Sequence, residues 1–383
     1  MFRSGMPVHG KDFIDRTQHL KKFQTFIDNN QHIMIKAPRR FGKTSLVVHL
    51  FEIYNYNTIY IDIKRATTLE YLAKQIINEA YKYAGVDNII AKAKESISGV
   101  FKILRASLKI DINIAELTIE TLEKNEKQQI DEVEFFLYAI DLVEQIAKKQ
   151  DINIKFAFDE FQDILAISSK SILDKLRSVM QHHSHITYIF LGSIESIMNK
   201  IFSSKSSPFF HFARVIELDG LDTDELKKFC KDFFDSKNIK YDDFLFTLID
   251  YLKGHPYYSM KALQSIYYKT LENNSNFITK NDCIEALTIA LFETKSYLEE
   301  IIEKIKSKKH HHSVIWNLAN YTKDKNIDSP TLYKTYKSLE NMGYIKKHDR
   351  GDYQITDIFL EILLQQKNDS RFLEERIDFI GLS

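Results

Sequence analysis

Five short runs in the first 220 residues combine β-branched or aromatic residues with little else: 33–36, 58–63, 152–158, 186–191 and 214–218. Runs of this length and composition predict strands. Between them lie longer stretches with apolar residues three and four apart, the spacing of an amphipathic helix. Strands alternating with helices call for a parallel sheet covered by helices on both faces, an α/β architecture. Ligands of such sheets sit beyond the carboxyl ends of the strands. The interval 69–150 is long for one crossover. Helical patterns occupy 69–84 and 131–149, and the second opens with Asp131 and Glu134 at capping-box spacing. Residues 100–114 fit a strand or a helix equally well. No Pro or Gly cluster marks a linker here, so 69–150 reads as an insertion within the first domain.

From Thr223 the pattern turns wholly helical, with helices expected over 223–236, 242–252, 255–272 and 279–304. The polar stretch 304–312 reads as an exposed connector. Beyond it, 313–321 and 330–342 have helical spacing. The second is introduced by Asp328-Ser329-Pro330, with Leu332, Tyr336, Leu339 and Met342 along its apolar face. Gly343 closes it, and two short alternating strands follow around Asp349-Arg350-Gly351-Asp352. Helix, helix and hairpin make a winged-helix pattern. The expected organisation is a core over 1–221, a helical lid over 222–305 and a winged-helix unit over 306–383.

Composition narrows the picture. The 383 residues carry 53 Lys+Arg and 53 Asp+Glu, so net charge argues for neither a nucleic-acid binder nor a membrane-surface protein. No apolar run approaches the ~18 residues of a membrane span. The N-terminal residues lack an apolar signal core. Cys230 and Cys283, the only cysteines, stand far apart, which suits a reducing cytosol. The His182-His183-Ser184-His185 and His310-His311-His312 runs lack Cys or carboxylates at ligand spacing and read as surface clusters.

The chemistry lies at the strand ends. After the first strand comes Ala37-Pro38-Arg39-Arg40-Phe41-Gly42-Lys43-Thr44-Ser45, a tight turn running into a helix. Gly-Lys-Thr in that setting is a phosphate-binding P-loop: backbone N–H groups wrap phosphate oxygens, Lys43 reaches the β/γ-phosphates, and Thr44 holds Mg²⁺. Ala37 departs from the pattern, standing where the first Gly is expected. Arg39 and Arg40 read as charges at the loop tip, with contact to phosphate or a partner as the alternative. Asp159-Glu160 follows the third strand as a Walker-B pair. Asp159 would hold the Mg²⁺, and Glu160 would polarise the attacking water.

These motifs, with Leu191-Gly192-Ser193, Ser196, Met198 and Gly254-His255-Pro256-Tyr257, resemble the archaeal-type ATPase family, in the STAND branch of AAA+-related P-loop ATPases. The resemblance runs from Phe13-Ile14-Asp15-Arg16 to the C-terminal unit. It implies a sensor role for Ser193 and places Arg16 near adenine, with Pro256 closing over the base. Gly254 and Pro256 also suit a helix end and a helix start. It implies for Arg214 an arginine-finger or sensor role, in cis or from a neighbour; a structural ion pair is the alternative.

The expected activity is that of an ATP- and Mg²⁺-dependent switch ATPase whose nucleotide state controls the lid and winged helix. An ATP-regulated DNA-binding protein is the second reading, with Lys334, Lys337, Lys346, Lys347 and Arg350 as phosphate contacts. A protein client or an oligomer suits either reading. A nucleotide-bound scaffold with little turnover rests on Ala37 alone.

Overall fold

The computed structural model describes residues 2–14, 16–83, 131–193, 195–322, 327–349 and 352–365. Residues 100–114, Asp15 and Arg350 therefore lie outside the described residues. Strands β1 (Ile33–Lys36), β2 (Asn57–Asp62), β3 (Ile154–Asp159), β4 (Ile186–Gly192) and β5 (Arg214–Glu217) form one sheet. Its order is β2-β3-β4-β1-β5, and every neighbouring pair is parallel. The loop after β1 therefore opens beside the ends of β4 and β3.

Side chains alternate across the sheet with period two. Phe156, Phe158, Tyr188 and Phe190 face one core, shared with helices α3 (Leu69–Ala80), α4 (Glu132–Lys149) and α5 (Ile172–Met180). Ala157, Ile189 and Leu191 face the other, shared with α1 (Thr17–Asp28) and α2 (Lys43–Ile53). Helix α6 (Glu195–Phe202) follows β4 and sends Phe202 into the first core. Rings from β3, β4 and the following turns pack edge-on and tilted there; Phe161 lies 4.7 Å from Phe190, and Phe190 5.0 Å from Phe202.

Several strand boundaries shift by one or two residues from expectation, two of them for visible local reasons. β2 ends at Asp62 because its side chain accepts from the Lys64 N–H and starts a 3-10 turn at Ile63. β3 starts at Ile154 because the Ile152 N–H is drawn back to the Ala147 carbonyl at the end of α4. Asp131 caps α4 as its sequence suggests, accepting from the Val133 and Glu134 N–H groups.

Beyond the sheet come α7 (Thr223–Ser236), α8 (Phe244–Tyr251), α9 (Pro256–Glu272) and α10 (Lys280–Lys306). The region is not wholly helical. The two-residue strands β6 (Lys240–Tyr241) and β7 (Phe277–Ile278) pair in parallel, too short to register as a pattern. Helices α11 (His311–Ala319) and α12 (Ser329–Asn341) follow, then the antiparallel hairpin β8 (Ile345–Asp349) and β9 (Asp352–Ile355), then α13 (Ile358–Gln365). Helix α11 starts earlier than expected, since His311 is buried and its ring bonds the Ser338 hydroxyl of α12 at 2.8 Å.

One buried cluster runs from Leu226 of α7 to Leu364 of α13. The helical unit and the C-terminal unit thus share a core, which also takes in Phe2 and Ile14 from the start of the chain. No described helix is long and apolar enough to cross a membrane.

The Phe190 ring is fully buried among six other rings, so truncation leaves a large void. Phe190→Ala is expected to lose about 3–5 kcal/mol of unfolding free energy. Urea unfolding measures this, and a loss below about 1 kcal/mol would show that the cluster does not hold the sheet.

Candidate functional site

The loop from Lys36 to Lys43 turns sharply, with Arg40 (φ 67°) and Gly42 (φ 80°) in the left-handed region. Glycine adopts that region freely; arginine does so at a cost of about 1 kcal/mol. Ala37 is not among the residues with positive φ, and its side chain is buried against the α1–α2 core. A glycine is therefore not required at this position, which removes the observation on which a defective loop rested.

Ties from several directions hold the loop. The Lys43 ammonium donates to the carbonyls of Ala37 (2.8 Å) and Pro38 (2.9 Å). Arg16, buried beneath the turn, donates to the Phe41 carbonyl at 3.2 Å and the Asp219 carbonyl at 2.8 Å. The Arg40 guanidinium lies 4.4 Å from the ring centres of both Tyr257 (α9) and Tyr297 (α10). Phe41 meets His255 edge-on at 4.8 Å.

The ends of β2, β3 and β4 supply the carboxylates and hydroxyls. Asp159 accepts from the Thr44 hydroxyl at 2.7 Å and from the Tyr60 hydroxyl. Glu160 has left-handed backbone (φ 51°), and one of its oxygens accepts three donors: the Gln162 amide (2.6 Å), the Ser193 hydroxyl (2.7 Å) and the Ser193 N–H (3.1 Å). Burial pushes the Glu160 carboxyl up, but these donors and the Lys43 charge outweigh it and hold it below the ordinary range. Asp62 is raised by burial and by the Asp159 charge; Asp163 is raised by burial and by Glu160. Negative charge is thus concentrated where Thr44 and Asp159 meet.

A cavity of about 460 Å³ lies over the loop, with room for a nucleotide. Lys43, Thr44, Asp159 and Glu160 line one side. Pro256, Tyr257 and Met260 of α9 line another, and residues 3–8 a third. The N-terminal segment is pinned at both ends. Phe2 packs against Phe233 of α7 at 4.4 Å, and the Val8 N–H donates to the Ser45 hydroxyl at 3.1 Å.

The residues singled out in the sequence are thus mostly gathered here: Arg16, 37–45, Asp159, Glu160, Ser193 and Pro256. Arg214 is not. It pairs in register with Ile33 at the start of β1, at the opposite end of the sheet from the loop, and its guanidinium lies 5.5 Å from the Phe26 ring. A role toward the phosphates in its own chain is excluded by that placement. Arg40 is not a free loop-tip charge but is held between two tyrosines. Lys346 of β8 donates to Asp219 at 3.0 Å, while Lys334, Lys337 and Lys347 are exposed. His183 is not a surface residue. Its side chain is only 2% exposed and bonds the Tyr188 hydroxyl at 2.6 Å. No cluster of His, Cys, Asp or Glu able to hold a metal occurs among the described residues.

Sequence reading assigns no role to Tyr60, Tyr297 or Asp357, and none to Gln162 and Tyr257 although both stand in the motifs. Tyr60 and Gln162 had a local signal, being near or at the ends of the strands that carry the motifs. The others come together only through packing. The Tyr258 hydroxyl donates to Asp357 at 2.8 Å, and Asp357 accepts from the Phe359 and Leu360 N–H groups at the start of α13. Burial pushes the Asp357 carboxyl up.

Solved structures with this architecture are known. The Walker-type ATPase PABY2304 of Pyrococcus abyssi is similar over 95% of this chain and 99% of its own, with a TM-score of 0.68 and 18% identity. The Aeropyrum pernix ORC2 protein, in its ADPNP–ADP complexes, is similar over 98% of each chain, with a TM-score of 0.53 and 10% identity. No protein-family model and no curated protein matches the sequence. At such identities the likeness establishes the fold. It is the P-loop NTPase α/β fold, followed by a helical unit and a winged-helix unit.

His255 caps α9, accepting from the Tyr258 N–H, and burial followed by the Arg40 charge lowers it to about 3. The folded pKa lies below the unfolded value near 6.5. Its stabilising contribution is therefore complete above about pH 6.5 and is lost as pH falls from there toward 3. Asn accepts the same capping bond without titrating. His255→Asn is expected to flatten the decline of unfolding free energy between about pH 6.5 and 5. Parallel declines in the two proteins would contradict this.

Proposed function

We propose that this chain binds and hydrolyses ATP as a STAND-type switch, the nucleotide setting the position of the lid and winged helix. One observation carries the reading. The cavity is walled by the P-loop on one side and by Pro256, Tyr257 and Met260 of the lid on another, so a ligand filling it touches both.

The residues suit the ligand. The α2 N-terminus, the turn N–H groups and Lys43 suit phosphate oxygens. Thr44 and Asp159, bonded to each other amid excess negative charge, suit Mg²⁺. Bound there, the cation would neutralise phosphate charge. Glu160 would accept a proton from the water whose oxygen bonds to the terminal phosphorus. The bond from that phosphorus to the diphosphate breaks, its electron pair leaving with the diphosphate. Ser193, bonded to Glu160, would orient the carboxylate.

The geometry also suggests which parts move together. The lid and winged helix share a core that also takes in Phe2 and Ile14 from the start of the chain, and Phe41 of the loop meets the buried His255; Arg40 on two tyrosines and Lys346 on Asp219 are the exposed contacts with the sheet domain. A stacked exposed cation contributes about 0.5–1 kcal/mol and an exposed ion pair up to about 1 kcal/mol. Contacts of that size are weak beside a shared core.

A second reading, ATP-regulated DNA binding, draws on exposed Lys334, Lys337 and Lys347. Lys346 is engaged by Asp219, so DNA would compete with the sheet domain for the hairpin. Binding that weakens with salt and strengthens when Asp219→Asn frees the hairpin would support it.

Lys43→Ala is expected to abolish ATP binding and phosphate release. Glu160→Gln is expected to keep ATP affinity while turnover falls at least about 100-fold. Equal hydrolysis by Lys43→Ala and the unmodified chain would end the reading.

A further inference from the structure

The cavity over the P-loop is lined by four arginines, Arg3, Arg16, Arg39 and Arg40. Three are committed elsewhere. Arg3 pairs with Asp12 at 2.9 Å. Arg16 holds the Phe41 and Asp219 carbonyls. Arg40 is sandwiched between Tyr257 and Tyr297. Arg39 turns the other way. Its Nε donates to the Ser193 hydroxyl at 3.3 Å, and that hydroxyl donates to Glu160 at 2.7 Å. Its charge also acts on Asp163 behind Glu160, and on Tyr297 and Tyr344 of the lid and winged helix. Lys64, which follows β2, lines the same cavity.

We infer that Arg39 is the catalytic arginine of the proposed reaction, supplied by the P-loop itself and directed at the terminal phosphate. The inference rests on the ATPase reading and deepens it. Charge that develops on the terminal phosphoryl oxygens is stabilised by a planar guanidinium held close to them, with little reorganisation during the step. Arg39 is placed for this by the loop: its neighbour Arg40 is fixed between Tyr257 and Tyr297, while the Arg39 Nε bonds the Ser193 hydroxyl that itself bonds Glu160. The assignment also accounts for the position of Arg214. A chain that carries its arginine in the loop has no need of one at the far end of β5.

Arg39 is exposed, so its replacement leaves the core untouched. The test compares the unmodified chain, Arg39→Ala and Arg39→Lys by three readouts: ADP affinity, the ratio of affinities for a non-hydrolysable ATP analogue and ADP, and trapping of Mg-ADP with aluminium fluoride. Turnover is a fourth. For Arg39→Ala, ADP affinity should stay within about 3-fold, the preference for the triphosphate should fall, trapping should be lost, and turnover should fall at least about 100-fold. Arg39→Lys keeps the charge without the fork and should recover trapping only in part. Trapping and turnover by Arg39→Ala equal to those of the unmodified chain would overturn the inference, and so would an equal loss of ADP and triphosphate affinity. An unmodified chain that neither binds nor hydrolyses ATP would overturn the ATPase reading itself, and the inference with it.

Discussion

The mouth of the sheet depends on one loop holding a shape that its own backbone resists. Between Lys36 and Lys43 the chain must reverse and expose its amide groups, with a non-glycine residue, Arg40, in the left-handed region. The loop keeps this shape because unrelated parts of the chain each hold a piece of it. Lys43 reaches back to two carbonyls from within α2, Arg16 supports the turn from before α1, and Tyr257 and Tyr297 take the Arg40 guanidinium. The first two ties belong to the sheet domain. The third belongs to the lid, so the loop's conformation and the lid's position are linked physically.

That link extends beyond the lid. Tyr258, beside Tyr257, stacks 3.8 Å from His255 and 3.9 Å from Phe359, and it bonds the Asp357 that caps α13. Phe41 of the loop touches the same His255. A continuous run of side chains therefore leads from the loop through α9 to the last described helix. Gly254 makes this junction possible. Its φ of 65° and its 2.7 Å bond from the Leu221 N–H bring the lid against the exit of the sheet domain, and a Cβ there would lie 2.0 Å from the Leu221 carbonyl oxygen.

Much of this was legible in the sequence, because each feature was local. Gly42-Lys43-Thr44 after an apolar run and Asp159-Glu160 after another are read from neighbours in the chain, and short runs of β-branched and aromatic residues mark the strands to within two residues. The helix starts at Asp131 and Asp328 were visible as capping residues. What was not legible depends on partners far apart. Arg40 looked like a loop-tip charge because nothing nearby in sequence shows two tyrosines more than 200 residues away. Arg214 looked like a site residue because the resemblance implied it, although it begins its strand and in a parallel sheet the strand starts lie away from the loop. Ala37 looked like a departure because a glycine pattern does not say which of its positions needs positive φ. His183 looked exposed because a run of histidines does not reveal that one of them turns into the core.

The account's central claim is that nucleotide state at the loop is transmitted to the C-terminal unit through Arg40 and its two tyrosines. Amide hydrogen exchange of α9 and α13 in the Glu160→Gln protein, saturated with ATP or with ADP, tests it most directly. The account predicts that protection of both helices differs between the two nucleotides, and that the difference at α13 collapses when Arg40→Ala is added. Identical protection with ATP and ADP, or a difference that survives Arg40→Ala unchanged, would contradict it.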